Sequence, residues 1–286
     1  MQANKRDWGV DYNDVSLVDG YTTPAVGALT GNNTTIYAAV FTDLERDGPV
    51  VIDSPVGVYG VIDDFWQRPM VEVGPFGPDK GKGGKFLLLP PGYDGPVPDG
   101  YLATKSKTNQ TMFIGRAFVN DGDIKTAVDT LARIKAYPLS KAGNPPETRI
   151  VHAGDRPLNS IPPKGFDYWK LVADALDKEP VEDRDRFFHA MLKPLGIEKG
   201  KTFKPDARQK KILTETMKVG VSSQDKLKEN ADGSVDIHFG PKVPKDDVNW
   251  VRTIPGRGWF AYFRWYGPTE KFFDKSWTLP DIDRKG

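Results

Sequence analysis

Glycine and proline punctuation constrains this chain more than any other feature. Its 29 glycines and 24 prolines fall between short apolar stretches, which suits strands and leaves little room for long helices. Strand-forming residues gather at 34–41, 50–52, 58–66, 85–89 and 111–119. Gly48-Pro49, Ser54-Pro55 with Gly57, and Pro90-Pro91-Gly92 supply the turns between them. Short strands at this spacing predict an antiparallel sandwich or barrel. The first thirty residues are polar, rich in Asp, Gly and Thr, and predict a segment wrapped over the surface of the later strands.

The period changes at Asp123. Ile124, Ala127, Val128, Leu131 and Ile134 recur at helical spacing, with capping oxygens from Asp121 and Asp123 and a stop at Pro138. A Pro-rich connection comes next, with three further helices predicted. The first carries Phe166, Trp169, Val172 and Leu176, and the second, after Pro180, carries Phe187, Phe188 and Met191. The third starts near Pro205 and carries Ile212, Leu213 and Met217. Strands resume at Val219, and Asn230-Ala231-Asp232-Gly233 reads as a hairpin turn before an alternating run at 234–239. Last comes an aromatic run between Gly258 and Gly267-Pro268. As a strand it points Trp259, Ala261, Phe263 and Trp265 to one face, and Phe260, Tyr262, Arg264 and Tyr266 to the other.

Several chemistries are excluded or disfavoured. There is no cysteine, so thiolate catalysis, disulfides and sulfur-ligated metals are all out. A formal net charge of +1 argues against a nucleic-acid footprint, which needs a concentrated basic excess. No apolar run is long enough to span a membrane, and the start, Met1-Gln2-Ala3-Asn4-Lys5-Arg6, lacks the apolar core of a signal peptide. In the glycine-rich stretch 74–84, Gly81-Lys82-Gly83-Gly84-Lys85 fails the phosphate-loop spacing and puts Phe86 where a magnesium-binding hydroxyl belongs. A flexible hairpin loop is the expectation there. No serine sits in Gly-x-Ser-x-Gly, no histidine pair has zinc-ligand spacing, and no calcium loop or dinucleotide unit occurs. No metal or cofactor is therefore expected.

Four places remain as candidate sites. His152 precedes Gly154-Asp155-Arg156, so a His–Asp pairing is conceivable. Asp63, in Asp63-Asp64-Phe65-Trp66-Gln67-Arg68, puts a carboxyl among aromatics at a strand end. This suits a neutral-ligand site or a domain interface. Asn32, Asn33, Thr35 and Tyr37 gather amides, a hydroxyl and a phenol at a strand entrance, or simply build a turn. Arg264, flanked by Tyr262 and Tyr266, either clamps a sheet by cation–π contact or receives an anion.

A family resemblance rests on specific residues. Asn32-Asn33-x-Thr35-x-Tyr37, Asp43-Leu44 and Gly48-Pro49-Val50 resemble the domain of unknown function numbered 1254. Asn230-Ala231-Asp232-Gly233-Ser234, Asn249-Trp250, Arg264-Trp265-Tyr266-Gly267-Pro268 and Trp277 with Pro280 resemble its usual companion, number 1214. Between them stand Tyr137-Pro138-Leu139-Ser140 and Pro194-Leu195-Gly196-Ile197. Two departures stand out. Thr34 replaces the family's acidic residue, and the helical segment ahead of Asn32 is shortened or absent. The resemblance implies an α+β chain, mainly β: two antiparallel, jelly-roll-like β-sandwich domains at 1–136 and 206–286, joined by a helical connection at 137–205. It gives a mild lean toward a periplasmic or secreted location.

The expected function is binding or processing of a neutral or weakly anionic small molecule, without metal, in an aromatic-lined cleft. Tyr37, Trp66, Tyr262 and Tyr266 would supply ring faces, Asn32, Asn33 and Thr35 would orient the ligand, and Arg264 would hold a carboxylate or oxyanion. Two alternatives stay open. One is a hydrolase of ester- or lipid-like substrates with Asp63 or His152 as base. The other is an assembly protein whose aromatic strand is a core or a subunit interface, a homo-oligomer among the options.

Overall fold

The computed structural model of the protein describes residues 1–23, 26–27, 34–154, 156–216, 225–245, 249–263 and 270–284. Two units divide the chain: Met1–Ile161 together with Arg264–Gly286, and Pro162–Phe263. The class is α+β.

In the first unit, helix α1 (Gln2–Trp8) leads into β1 (Val15–Val18), the short β2 (Val26–Gly27) and β3 (Thr35–Asp43). One turn of helix, α2 (Leu44–Asp47), precedes β4 (Val50–Ser54), β5 (Tyr59–Asp64) and β6 (Pro69–Val73). Then come β7 (Gly84–Leu89), β8 (Leu102–Lys105), β9 (Gln110–Phe118), helix α3 (Ile124–Leu131), β10 (Lys135–Pro138), β11 (Ile150–His152) and β12 (Leu158–Asn159). They form a six-stranded sheet, β11-β1-β3-β9-β5-β6, and a four-stranded sheet, β10-β4-β7-β8; β2 pairs with β12.

Strict alternation explains the core. On β3, Ile36, Ala38 and Val40 face inward, in register with Ala117, Gly115 and Phe113 of β9. Val50, Ile52, Phe86, Leu88 and Ala136 of the other sheet join the same apolar cluster, and α3 adds Ala127 and Leu131. Asp123 starts α3 by accepting the Thr126 N–H at 3.0 Å. Two facing glycines make room for the Phe113 ring. A Cβ on Gly60 would stand 2.8 Å from that ring and 2.4 Å from the Ile114 carbonyl oxygen, and one on Gly115 would again meet the ring at 2.8 Å.

Several expectations change here. The first thirty residues do not merely wrap the surface, because β1 lies inside the larger sheet with Val15 and Leu17 fully buried. It pairs antiparallel with β3 and parallel with β11, and β7 and β8 are also parallel, so neither sheet is purely antiparallel. Helix α3 stops at Leu131 rather than at Pro138. Ile134 keeps the helical period, but Lys135–Pro138 pairs with β4 as a strand. The glycine-rich stretch is no hairpin, since it carries the chain from one sheet to the other. Its buried Asp79 accepts the Gly74 N–H at 2.8 Å and the Gly83 N–H at 3.3 Å, which ties both ends of the crossover together.

In the second unit, α4 (Phe166–Lys178), α5 (Arg186–Leu192) and α6 (Ala207–Thr216) precede β13 (His238–Gly240) and β14 (Trp250–Arg252). Leu176, Ile197 and Leu213 form its buried centre, with Trp169 packed against them and donating its indole N–H to the Leu213 carbonyl at 2.7 Å. The two strands pair in parallel. Val219 lies outside the described residues, and of 234–239 only His238 and Phe239 enter a strand. The predicted aromatic strand is not observed over 259–263, which belong to neither helix nor strand. Trp259, Phe260, Tyr262 and Phe263 are exposed, although Trp259 stacks on Phe239 at 5.0 Å. Alternation alone does not make a strand, because backbone groups need a neighbouring ladder, and among the described residues no strand ladder includes this run. A last short helix, α7 (Glu270–Phe273), comes after it.

Candidate functional site

Among the described residues, the outer face of the six-stranded sheet is covered over β11, β1 and β3. Trp8 of α1, Val10, Val26, Val151 and Leu158 cluster over β11, β1 and β3, and the Trp8 indole donates to the Arg156 carbonyl at 3.2 Å. Where that cover ends, Tyr12, Phe41, Phe65 and Met112 surround a cavity of about 130 Å³ together with the amides of Gln67 and Gln110. The register explains the grouping. Phe41 faces Met112 across β3 and β9, Thr42 faces Thr111, and the loop after α1 brings Tyr12 to the end of the same strands. Tyr12 donates its hydroxyl to Gln110 Oε1 at 2.7 Å, and the Thr42 and Thr111 hydroxyls lie 2.7 Å apart. The Arg46 guanidinium caps the outer side of the Tyr12 ring, 4.9 Å from its centroid. Met1 also lines the cavity.

Asp63 and Asp64 end β5 beside this cavity and differ completely. Asp64 lines it and is saturated: it accepts the backbone N–H groups of Trp66 and Arg68 at 2.8 and 3.0 Å and the Arg68 guanidinium at 2.5 Å. Asp63, paired across the ladder with Met112, is 8% exposed, and its buried Oδ1 has no hydrogen-bond partner among the described residues. Burial pushes its carboxyl above the usual range, and the neighbouring Asp64 charge adds to the effect. Neutral at higher pH than an ordinary aspartate, Asp63 can donate a proton or hydrogen bond where Asp64 only accepts.

Within the first unit, the sequence candidates Tyr37 and Trp66 stand apart along the sheet. Tyr37 sits in a cross-strand row with Arg116 and Tyr59, four residues along β3 from the Phe41 row. That is about 13 Å at strand spacing, and Trp66 lies beyond the far end in the β5–β6 turn, edge-on to Phe65 at 4.9 Å. Thr35 is buried at the start of β3, not displayed at an entrance. Tyr262 is exposed and belongs to the second unit. Asn32, Asn33, Arg264 and Tyr266 lie outside the described residues, as does Asp155. His152 does meet an aspartate, but a different one. Its Nδ1 lies 2.7 Å from Asp19 Oδ2, and Asp19 also accepts the Gly154 N–H at 3.2 Å. The pair joins the exposed ends of β11 and β1. Among the described residues no group of three His, Asp or Glu is placed to hold a metal ion, and no helix is long and apolar enough to cross a membrane.

Comparison with known proteins fits this two-part chain. Residues 12–138 match the family described as protein of unknown function (DUF1254), and residues 204–270 match protein of unknown function (DUF1214). The chain carries both domains of the pair. The DUF1254 match runs from Tyr12 to Pro138, so it spans β1 to β10 and every cavity residue except Met1. The DUF1214 match covers α6, β13, β14 and the aromatic run. The crystal structure of the VPA0106 protein from Vibrio parahaemolyticus aligns with 68% of this chain and 48% of its own at 20% identity, with a TM-score of 0.47. This chain thus spans about half the length of that protein. Curated proteins give no significant match.

Proposed function

We propose that this protein binds a small neutral or weakly anionic molecule in the DUF1254 part, in the cavity between Tyr12, Phe41, Phe65 and Met112. The convergence of three rings and a thioether with two amides in one concavity carries the reading. At about 130 Å³ the space is near that of a cavity able to take benzene, so the ligand, or the end of it that enters, is a single ring or short acyl group. Gln67 and Gln110 orient its polar atom, and the Asp63 carboxyl sets the electrostatics behind Met112. The same proposal takes the two sheets of the first unit as the halves of a β-sandwich.

A thermal-shift series with phenol, benzamide, benzoate and glucose tests the proposal. Phenol or benzamide is expected to raise the midpoint, and Met112→Trp, which fills the cavity, is expected to abolish that rise. Equal shifts in Met112→Trp, or none in the parent, overturn it. A hydrolase reading draws on the His152–Asp19 contact, which holds an imidazole by a carboxylate as a general base requires. Turnover of a short p-nitrophenyl ester by the same samples separates hydrolysis from binding.

A further inference from the structure

The second unit contains a larger cavity, separate from the ligand site of the first. Its volume is about 320 Å³, and Arg186, His189, Lys193 and Lys199 line it with a single carboxylate, Glu198. Helix geometry makes this arrangement. Arg186, His189, Ala190 and Lys193 follow at i, i+3, i+4 and i+7, so one face of α5 and the turn after it presents two fixed cations and an imidazole. Gly196, at φ 82°, reverses the chain and returns Glu198 and Lys199 to that face. Lys199 donates to the Asp177 carbonyl at the end of α4, and Gly200 N–H donates to the Asp177 side chain at 2.6 Å, so this wall is held.

The charges do not cancel inside the cavity. Glu198 is shared between Lys193 at 3.3 Å and Lys201 at 2.8 Å, and these two amines hold its carboxyl below the usual range. Arg186 spends one N–H on Asp183 at 2.7 Å, and a guanidinium has five. A surplus of anion-directed donors therefore remains.

The next face of the same helix is apolar and uncovered. Phe187, Phe188 and Met191 are 68%, 63% and 58% exposed, while Leu192, one step further round, packs into the unit's own core. Going round the helix, the cationic cavity, the exposed apolar strip and the buried core come in order. Neither the cavity nor the strip alone names an occupant. Their adjacency does, because it matches a molecule with an anionic head and an apolar tail. Val181 and Ala190 line the apolar side of the cavity.

We infer that α5 and the turn after it form a site for a monomeric anionic amphiphile, an alkyl phosphate or carboxylate. Its head enters the Arg186–His189–Lys193–Lys199 cavity and its chain lies along Phe187 and Met191. The site shares no residue with the first unit's cavity, so Met112→Trp leaves this binding unchanged.

Titration of the full chain with hexyl phosphate, inorganic phosphate and hexyl glucoside, measured by calorimetry, tests it. Burial of only two methylenes against the strip is worth roughly tenfold, so hexyl phosphate is expected to bind at least that much more tightly than inorganic phosphate. Phe187→Ser with Met191→Ser is expected to remove that advantage and leave inorganic phosphate binding as it was. Arg186→Gln with Lys193→Gln is expected to remove the preference for hexyl phosphate over hexyl glucoside. All four side chains are at the surface or the cavity rim, so these variants keep the fold, which circular dichroism checks. Equal affinity for the phosphate ester and inorganic phosphate, equal affinity for the ester and the glucoside, or no binding overturns the inference. Sedimentation with phosphatidylglycerol vesicles in the absence of monomer binding overturns it in favour of a membrane surface.

Discussion

Strand β9 and the aromatic run at 259–263 alternate equally well, yet one is the middle of a sheet and the other is bare. In β9, Thr111, Phe113, Gly115 and Ala117 are buried, while Met112, Ile114 and Arg116 face outward between β3 and β5. In the aromatic run both sets face solvent: Trp259 and Phe263 are exposed, and so are Phe260 and Tyr262. Period-2 patterning states which side chains would share a face. What turns the pattern into structure is a ladder on both edges and a second layer to cover the apolar side. β9 has both. The run from Trp259 stacks on the ring of Phe239 but enters no ladder among the described residues.

That contrast breaks most sharply at Phe113. Phe113→Ala empties the space held open by Gly60 and Gly115 and is expected to cost about 3–5 kcal/mol, read as a lowered denaturant midpoint. A loss below about 1 kcal/mol would show that the facing glycines do not hold the ring. A buried charge on the neighbouring strand gives an intermediate effect. Asp63 has its carboxyl pKa raised in the folded state, so the native protein holds that proton more tightly than the unfolded chain. The contribution therefore falls as pH rises from the ordinary carboxylate range through the raised value, and the full penalty is present at neutral pH. Asp63→Asn is expected to stabilise by about 1 kcal/mol at pH 7 and to lose that gain near pH 3. A pH-independent difference would assign the effect to packing. The smallest change belongs to the exposed run. Phe260→Ser, at a side chain 85% exposed, is expected to leave stability within about 0.5 kcal/mol. A larger loss would mean that this run packs against something in solution, which is the subunit-interface alternative.

Where burial and local pattern agree, the fold is legible. The alternation of β3 and β9, the Asp123 cap of α3 and the apolar stripe of α4 all appear where composition puts them. β1 escapes because only Val15, Leu17 and Val18 mark it within a polar segment, and its parallel partner β11 lies far along the chain. β10 escapes because Ile134 continues the helical period past the true end of α3. The cavity escapes for a similar reason. Tyr12 and Gln110 are 98 positions apart, and no local motif announces a contact made by register. Aromatic density is a poor guide, since Tyr37 and Trp66 group by residue type while the strands hold them at opposite ends of the sheet.

The parallel pairing of β1 with β11 has a temporal side. Leu17 is matched to His152, 135 positions later, and that length of chain emerges from the ribosome over about 7–27 s at 5–20 residues per second. Once β3 has emerged it can occupy one edge of β1, while until β11 arrives the other edge offers its N–H and C=O groups to any passing strand. The segment from Ile150 to His152 is thus the piece that ends the exposure. Its late arrival makes the opening and closing strands of the sheet a natural control point for whether the nascent chain folds or aggregates.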